Sequence, residues 1–94
     1  MTKKEAREAL YDAAFEEWGK GLERARRLKS YIFAEDADCR LSETLLAIES
    51  WLGAVYDQGH SPGKADEHFF GDLDRVKGLG HRTPSQVLKL EVSR

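Results

Sequence analysis

Residues 11–32 read YDAAFEEWGKGLERARRLKSYI. Tyr11, Phe15, Trp18, Leu22, Ala25, Lys29 and Ile32 recur there at spacings of four and three. At about 100° per residue, that rhythm sets them on one stripe of an α-helix. Gly19 and Gly21 fall inside the stripe, and each glycine costs a helix about 1 kcal/mol against alanine. The stripe nevertheless keeps its phase across them, so one continuous helix is expected rather than two. Upstream, Thr2-Lys3-Lys4-Glu5 has the form of a capping box, in which the hydroxyl takes the third amide and the glutamate reaches back to the cap. These signals predict a first helix over about 3–33.

Working outward, Ala34 to Asp38 reads as a short acidic connection supplying an Asp cap. Leu41, Leu45, Ile48, Leu52 and Val55 then repeat the spacing, widened by Trp51 and Tyr56. A second helix is expected over about 38–58, ending at Gly59. Ser61-Pro62 is an N-cap followed by proline at the first helical position, and Ala65, Phe69, Leu73 and Val76 mark one face of a third helix over about 62–77, stopping at Gly78. Thr83-Pro84-Ser85-Gln86 repeats the start signal. The alternation of Leu88, Leu90 and Val92 suits a strand, but a lone strand would have no partner here, so a short C-terminal helix over about 84–92 is preferred. The fold expected is all-α: a small up-down bundle of three main helices plus a short fourth one, with residues 1–94 as one helical domain.

Composition agrees with a folded, water-facing chain. Of 94 residues, 40% are hydrophobic and 34% charged, with 2 prolines and 1 cysteine; this is too apolar for a disordered chain and too charged for a membrane-spanning one. No apolar run approaches the roughly 18 residues that a bilayer span needs, and the mixed charges of the first eight residues do not resemble a signal peptide. Cys39 has no intrachain partner and is expected to be a buried or half-buried thiol in a reducing compartment, which points to the cytoplasm. The net charge of −2 gives no global attraction to nucleic acid or anionic lipid. Locally the balance is uneven: residues 1–34 hold eight basic and six acidic side chains, residues 35–57 one and six.

Three candidate surfaces stand out. The first comes from helix length, because about 30 residues against about 20, at 1.5 Å each, leave roughly 15 Å of helix one unmatched. Tyr11, Phe15 and Trp18 lie on or near that overhang and are the expected partner-binding residues, with a homodimer favoured over a monomer. The second is basic: Lys20, Arg24 and Arg27 share one ridge, a nucleic-acid-binding candidate, although Glu16 and Glu23 stand four residues before Lys20 and Arg27 in ion-pair order and favour a solvated face. The third is the turn Gly78-Leu79-Gly80-His81-Arg82 before a helix start, where Gly80, His81 and Arg82 are candidates for binding an anion. Gly78 is also explained as an ordinary helix terminator.

Arg75 and His81 are six residues apart, and this pair resembles the Arg-spacer-His signature of the helical HEPN ribonucleases. The resemblance covers those two residues and implies acid-base cleavage of RNA by His81. His60, His68 and His81 lack the Glu-x-x-His pairs or cysteine clusters that accompany metal sites, so no metal and no cofactor is expected. Nor does a Ser-His-Asp order, a P-loop or a coherent carboxylate pair occur. The sequence therefore points to a non-enzymatic module that binds another protein through a helical surface. A regulator bound to nucleic acid through the ridge at 20–29 is the second reading, and an RNA-cleaving enzyme around Arg75 and His81 a remote third.

Overall fold

The computed structural model describes residues 1–69 and 79–90. Among these residues four α-helices follow in order: α1 (Lys3–Arg27), α2 (Tyr31–Leu52), α3 (Pro62–Phe69) and α4 (Pro84–Leu88). A π turn at Gly53–Asp57 extends α2. α1 and α2 form an antiparallel hairpin; α3 packs on α2, and α4 on α1 and α3. The fold is the expected all-α bundle, with three main helices packed on one another.

The start signals work as the sequence predicts. Thr2 Oγ1 accepts the Glu5 amide at 3.1 Å while Glu5 Oε1 accepts the Thr2 amide at 3.1 Å. Thr83 and Gln86 make the same reciprocal box before α4, at 3.0 and 2.9 Å. Ser61 Oγ accepts the Lys64 amide at 3.3 Å at the head of α3. α1 runs unbroken through Gly19 and Gly21.

The ends differ from expectation, and one device explains both. α1 stops at Arg27 instead of about 33, because Lys29 turns left-handed at φ 51°. Its amide donates to Arg26 O and that of Ser30 to Ala25 O, closing a Schellman motif. α2 then begins at Tyr31, not 38, with Ser30 rather than an aspartate as its cap residue. α4 likewise stops at Leu88 rather than 92: Lys89 is left-handed at φ 56°, its amide donates to Gln86 O, and that of Leu90 donates to Ser85 O. A lysine at this position costs about 1–2 kcal/mol of backbone strain that glycine would avoid. The end of helix three at Gly78 lies outside the described residues, as do residues 91–94.

These boundaries remove the length mismatch. α1 has 25 residues and α2 22, continued by the five of the π turn, so α1 has no overhang. The buried line of α1 is also not the large-residue stripe. It runs through Ala6, Leu10, Ala13, Ala14 and Ala25, while Phe15 is exposed and Tyr11 and Trp18 only half-buried. Small side chains let the two helices approach closely, and the larger ones flank the seam. On α2 the buried positions are Ala37, Thr44, Ile48, Trp51 and Leu52, with Leu41 and Leu45 half-buried beside them.

The core lies at one end. Ala6, Leu10, Ala13 and Ala14 of α1 meet Ile48, Trp51 and Leu52 of α2, and Ala65, Phe69, Leu79 and Leu88 close over them. Asp66 is buried among these side chains, where Oδ1 accepts both Trp51 Nε1 at 2.9 Å and the Ser85 amide at 3.3 Å. This polar link ties α2, α3 and α4 together. The other end of the hairpin, from Gly21 to Ala37, contributes only Ala25 and Ala37 to the buried set.

Candidate interaction surface

Among the described residues, the open end of the hairpin carries the longest cluster of exposed large apolar side chains. Leu28, Tyr31, Ile32 and Phe33 are 65%, 86%, 80% and 64% exposed. The early stop of α1 at Lys29 puts these four around a three-residue turn at the tip. Each would lose about 1.5–3 kcal/mol-worth of unfavourable hydration on full burial, and a cluster of this kind on a small monomer marks a contact site. Beside it lies a groove of about 380 Å³ lined by Trp18, Gly21, Ala25, Leu28, Phe33 and Ala37, with Arg24 on one wall and Asp36 on the other. Its floor is the small-residue seam: a Cβ added at Gly21 would meet Ala37 Cβ at 3.5 Å.

Charge is distributed unequally along the hairpin. Near the core the two helices are joined by ion pairs, Lys3 to Asp57 at 2.7 Å and Arg7 to Glu49 at 2.7 Å. At the open end the pairs stay within single helices: Arg27 to Glu23 at 2.8 Å on α1, and Arg40 to Asp36 at 3.5 Å and to Glu43 at 3.7 Å on α2. Among the described residues none crosses between the helices there. The open half of α1 and the turn after it carry more basic than acidic side chains, and the first turns of α2 more acidic than basic ones, although Arg26 lies about 160° around α1 from Arg24.

The three aromatic residues expected to bind a partner are not placed alike. Tyr11 belongs to a polar cluster, its hydroxyl donating to Glu49 Oε1 at 2.6 Å, and its ring meets Phe15 edge-on at 6.5 Å between centroids. Arg7 Nε and Nη2 donate to the same Glu49 carboxylate at 2.7 and 3.1 Å. Arg7 first, then Tyr11, holds the Glu49 carboxyl below its ordinary value. Trp18 does border the groove, and its Nε1 donates to the buried Thr44 Oγ1 at 3.0 Å, which fixes the indole against α2. Sequence reasoning missed Leu28, Tyr31, Ile32 and Phe33 because they were read as helix. One signal was present: at 100° steps, three consecutive large apolar residues span about 200° and cannot share a buried face.

The other candidates are placed as follows. Lys20, Arg24 and Arg27 are all exposed, with Arg27 paired to Glu23. Gly80 and His81 are consecutive left-handed residues at φ 66° and 67°. Arg82 Nε donates back to Leu79 O at 3.1 Å, and a Cβ on Gly80 would lie 2.8 Å from Glu17 Oε2. A carboxylate thus already faces this turn, which works against an anion there. Arg75 lies outside the described residues, so the Arg75–His81 pair has no described geometry. Cys39 is exposed rather than buried or half-buried, its thiol donating weakly to Glu43 Oε1 at 3.8 Å, because it stands about 200° around α2 from both Ala37 and Leu41, on the face opposite the seam. Among the described residues no three His, Cys, Asp or Glu side chains group as a metal site, and no helix is long and apolar enough to cross a membrane. No protein-family model, no curated protein and no solved structure matches the chain.

Proposed function

We propose that the protein is an interaction module that acts by binding another protein chain through the open end of its helical hairpin. The observation that carries this reading is the exposure of Leu28, Tyr31, Ile32 and Phe33 together beside the Trp18 groove. The molecule is built as a handle and a tip: α3 and α4 close the core at one end, and the other end is left as two helices. Such a division is expected of an adaptor or small regulator that works by presenting a surface, not by chemistry of its own. The exposed thiol of Cys39 on α2 suits a reducing compartment such as the cytoplasm.

A photo-cross-linking residue placed at Ile32 in the full chain tests this in native lysate, with the same residue at exposed Lys4 as the control. Ile32 should give a discrete protein cross-link, and Lys4 none. A chain that cross-links nowhere, or equally from both positions, is not a module of this kind.

A further inference from the structure

We infer that the outer half of the hairpin, residues 19–40, is a separate opening unit, which comes apart and re-forms while the rest of the molecule stays folded. This goes beyond the reading of the tip as a binding surface and stands on packing alone.

Three observations carry it. The first is the core. Among the described residues, no side chain between Gly19 and Arg40 belongs to the hydrophobic core cluster or packs against it. Ala25 and Ala37 are the buried side chains of this half. Two alanines stabilise a helix pair far less than Leu10, Ile48, Trp51 and Leu52 do at the other end.

The second is the set of links between α1 and α2. The outermost side-chain hydrogen bond across the hairpin runs from Trp18 Nε1 to Thr44 Oγ1, at 3.0 Å. Beyond it, among the described residues, the side-chain hydrogen bonds and ion pairs stay within single helices. The two helices are tied there only by the backbone of the turn, where the Ser30 amide donates to Ala25 O at 3.0 Å.

The third is local. Gly19 and Gly21 weaken the last turns of α1 as a helix. Lys29 holds a left-handed conformation at φ 51°, and Ser30 caps α2 without a side-chain hydrogen bond. Short helical segments with so little packed against them are marginal in water. The closed half keeps the whole core cluster when the outer half opens, so this opening needs far less free energy than global unfolding. A partner seated across α1 and α2 at the tip holds the outer half shut, which makes capture and ordering one equilibrium.

Amide hydrogen exchange of the full chain, read residue by residue by NMR at low concentrations of urea, tests the proposal. Corrected for intrinsic rates, the amides of Arg24 to Arg27 and of Ala37 to Cys39 should exchange at least about a hundredfold faster than those of Leu10 and Ile48. The change should come as a step at the level of Trp18 on α1 and of Thr44 on α2. Exchange in the outer half should also rise with urea less steeply than exchange from the core. Asp66→Ala supplies the second arm, because it weakens the closed half, which is folded in both the native and the opened form. It should speed exchange at Leu10 and Ile48 by at least about tenfold and leave the outer-half amides unchanged. Ile48→Val, a milder loss from the core, should act in the same way by roughly three- to tenfold. Equal protection in the two halves overturns the proposal, as does a closed-half variant that speeds both by the same factor, since the chain then unfolds as one unit. A gradient from the tip inward that does not respond to urea overturns it too, because that is fraying of helix ends. Neither outcome depends on the cross-link at Ile32, so failure of the binding reading and failure of this one are told apart.

Discussion

Trp51 Nε1 and the carboxylate of Asp66 are 2.9 Å apart, and the same Asp66 oxygen accepts the amide of Ser85 at 3.3 Å. One buried oxygen therefore satisfies a donor from α2 and a donor from α4, holding both to α3. Asp66→Ala would strand two buried donors at once, and a stranded donor costs about 1–3 kcal/mol. Urea denaturation should show a loss of roughly 2–4 kcal/mol, with Asp66→Asn, which keeps an acceptor oxygen, recovering most of it. A loss of only a few tenths in Asp66→Ala would mean that the link does not hold the small helices in place.

The Arg7–Glu49–Tyr11 cluster predicts a dependence on pH. Arg7 and then Tyr11 hold the Glu49 carboxyl below its ordinary 4.5. A carboxyl depressed in the folded state contributes stability that is present above its unfolded value and is lost as pH falls through the folded one. Glu49→Gln should therefore be less stable than the native chain near neutrality, and the gap should close as the solution is acidified from 4.5 downward. The effect is modest, because the two side chains are 39% and 40% exposed and water screens them. Tyr11 moves the other way, raised by donating to Glu49, so its share is lost in alkali. Thermal melts at several pH values decide the matter, and a gap independent of pH would exclude the linkage.

Lys29 and Lys89 occupy left-handed positions that glycine adopts without strain. Lys29→Gly and Lys89→Gly should each raise stability by about 1 kcal/mol, since relief of the backbone strain exceeds the added freedom of the unfolded chain. Both motifs keep their backbone hydrogen bonds in the variants. A destabilised Lys29→Gly chain would show that the lysine side chain does more than occupy the turn.

Those two lysines also mark where the sequence stops being legible. Helix starts can be read because a capping box is a chemical pattern: Thr2 with Glu5, and Thr83 with Gln86, are visible as residue types and bond as expected. Helix stops are legible when glycine marks them, as Gly59 does at φ 73° after α2. At Lys29 nothing in the residue type distinguishes a left-handed terminator from one more helical lysine, and the apolar rhythm runs on through Ile32. The hairpin turn was thus misplaced, and the exposed tip with it. Trp18 was recoverable because it sits well inside α1, where phase alone places it beside the seam. Ala25 was on the expected stripe as well, but the rest of the narrow face, Ala6, Ala13 and Ala14, was not legible, because periodicity weighs large side chains, whereas close helix approach is made by small ones.

Gly19 and Gly21 show the difference between a glycine that is merely tolerated and one that the packing uses. Nothing lies within 4 Å of a Cβ added at Gly19, whereas one at Gly21 meets Ala37 Cβ at 3.5 Å. Both residues are helical, so alanine gains helix propensity at either site and should stabilise by about 0.5–1 kcal/mol. At Gly21 the contact is ordinary van der Waals distance, and Gly21→Ala should fall in the same range. A larger side chain separates the two cases. Gly19→Leu has open space and should remain near the native stability or above it. Gly21→Leu must push α1 away from Ala37, costing about 1–3 kcal/mol as overpacking does, and it fills the groove beside Trp18. Chemical denaturation of the four variants reads this directly: equal responses of Gly19→Leu and Gly21→Leu would show that α1 and α2 are not in close contact at the open end, and that the groove there has no small-residue floor.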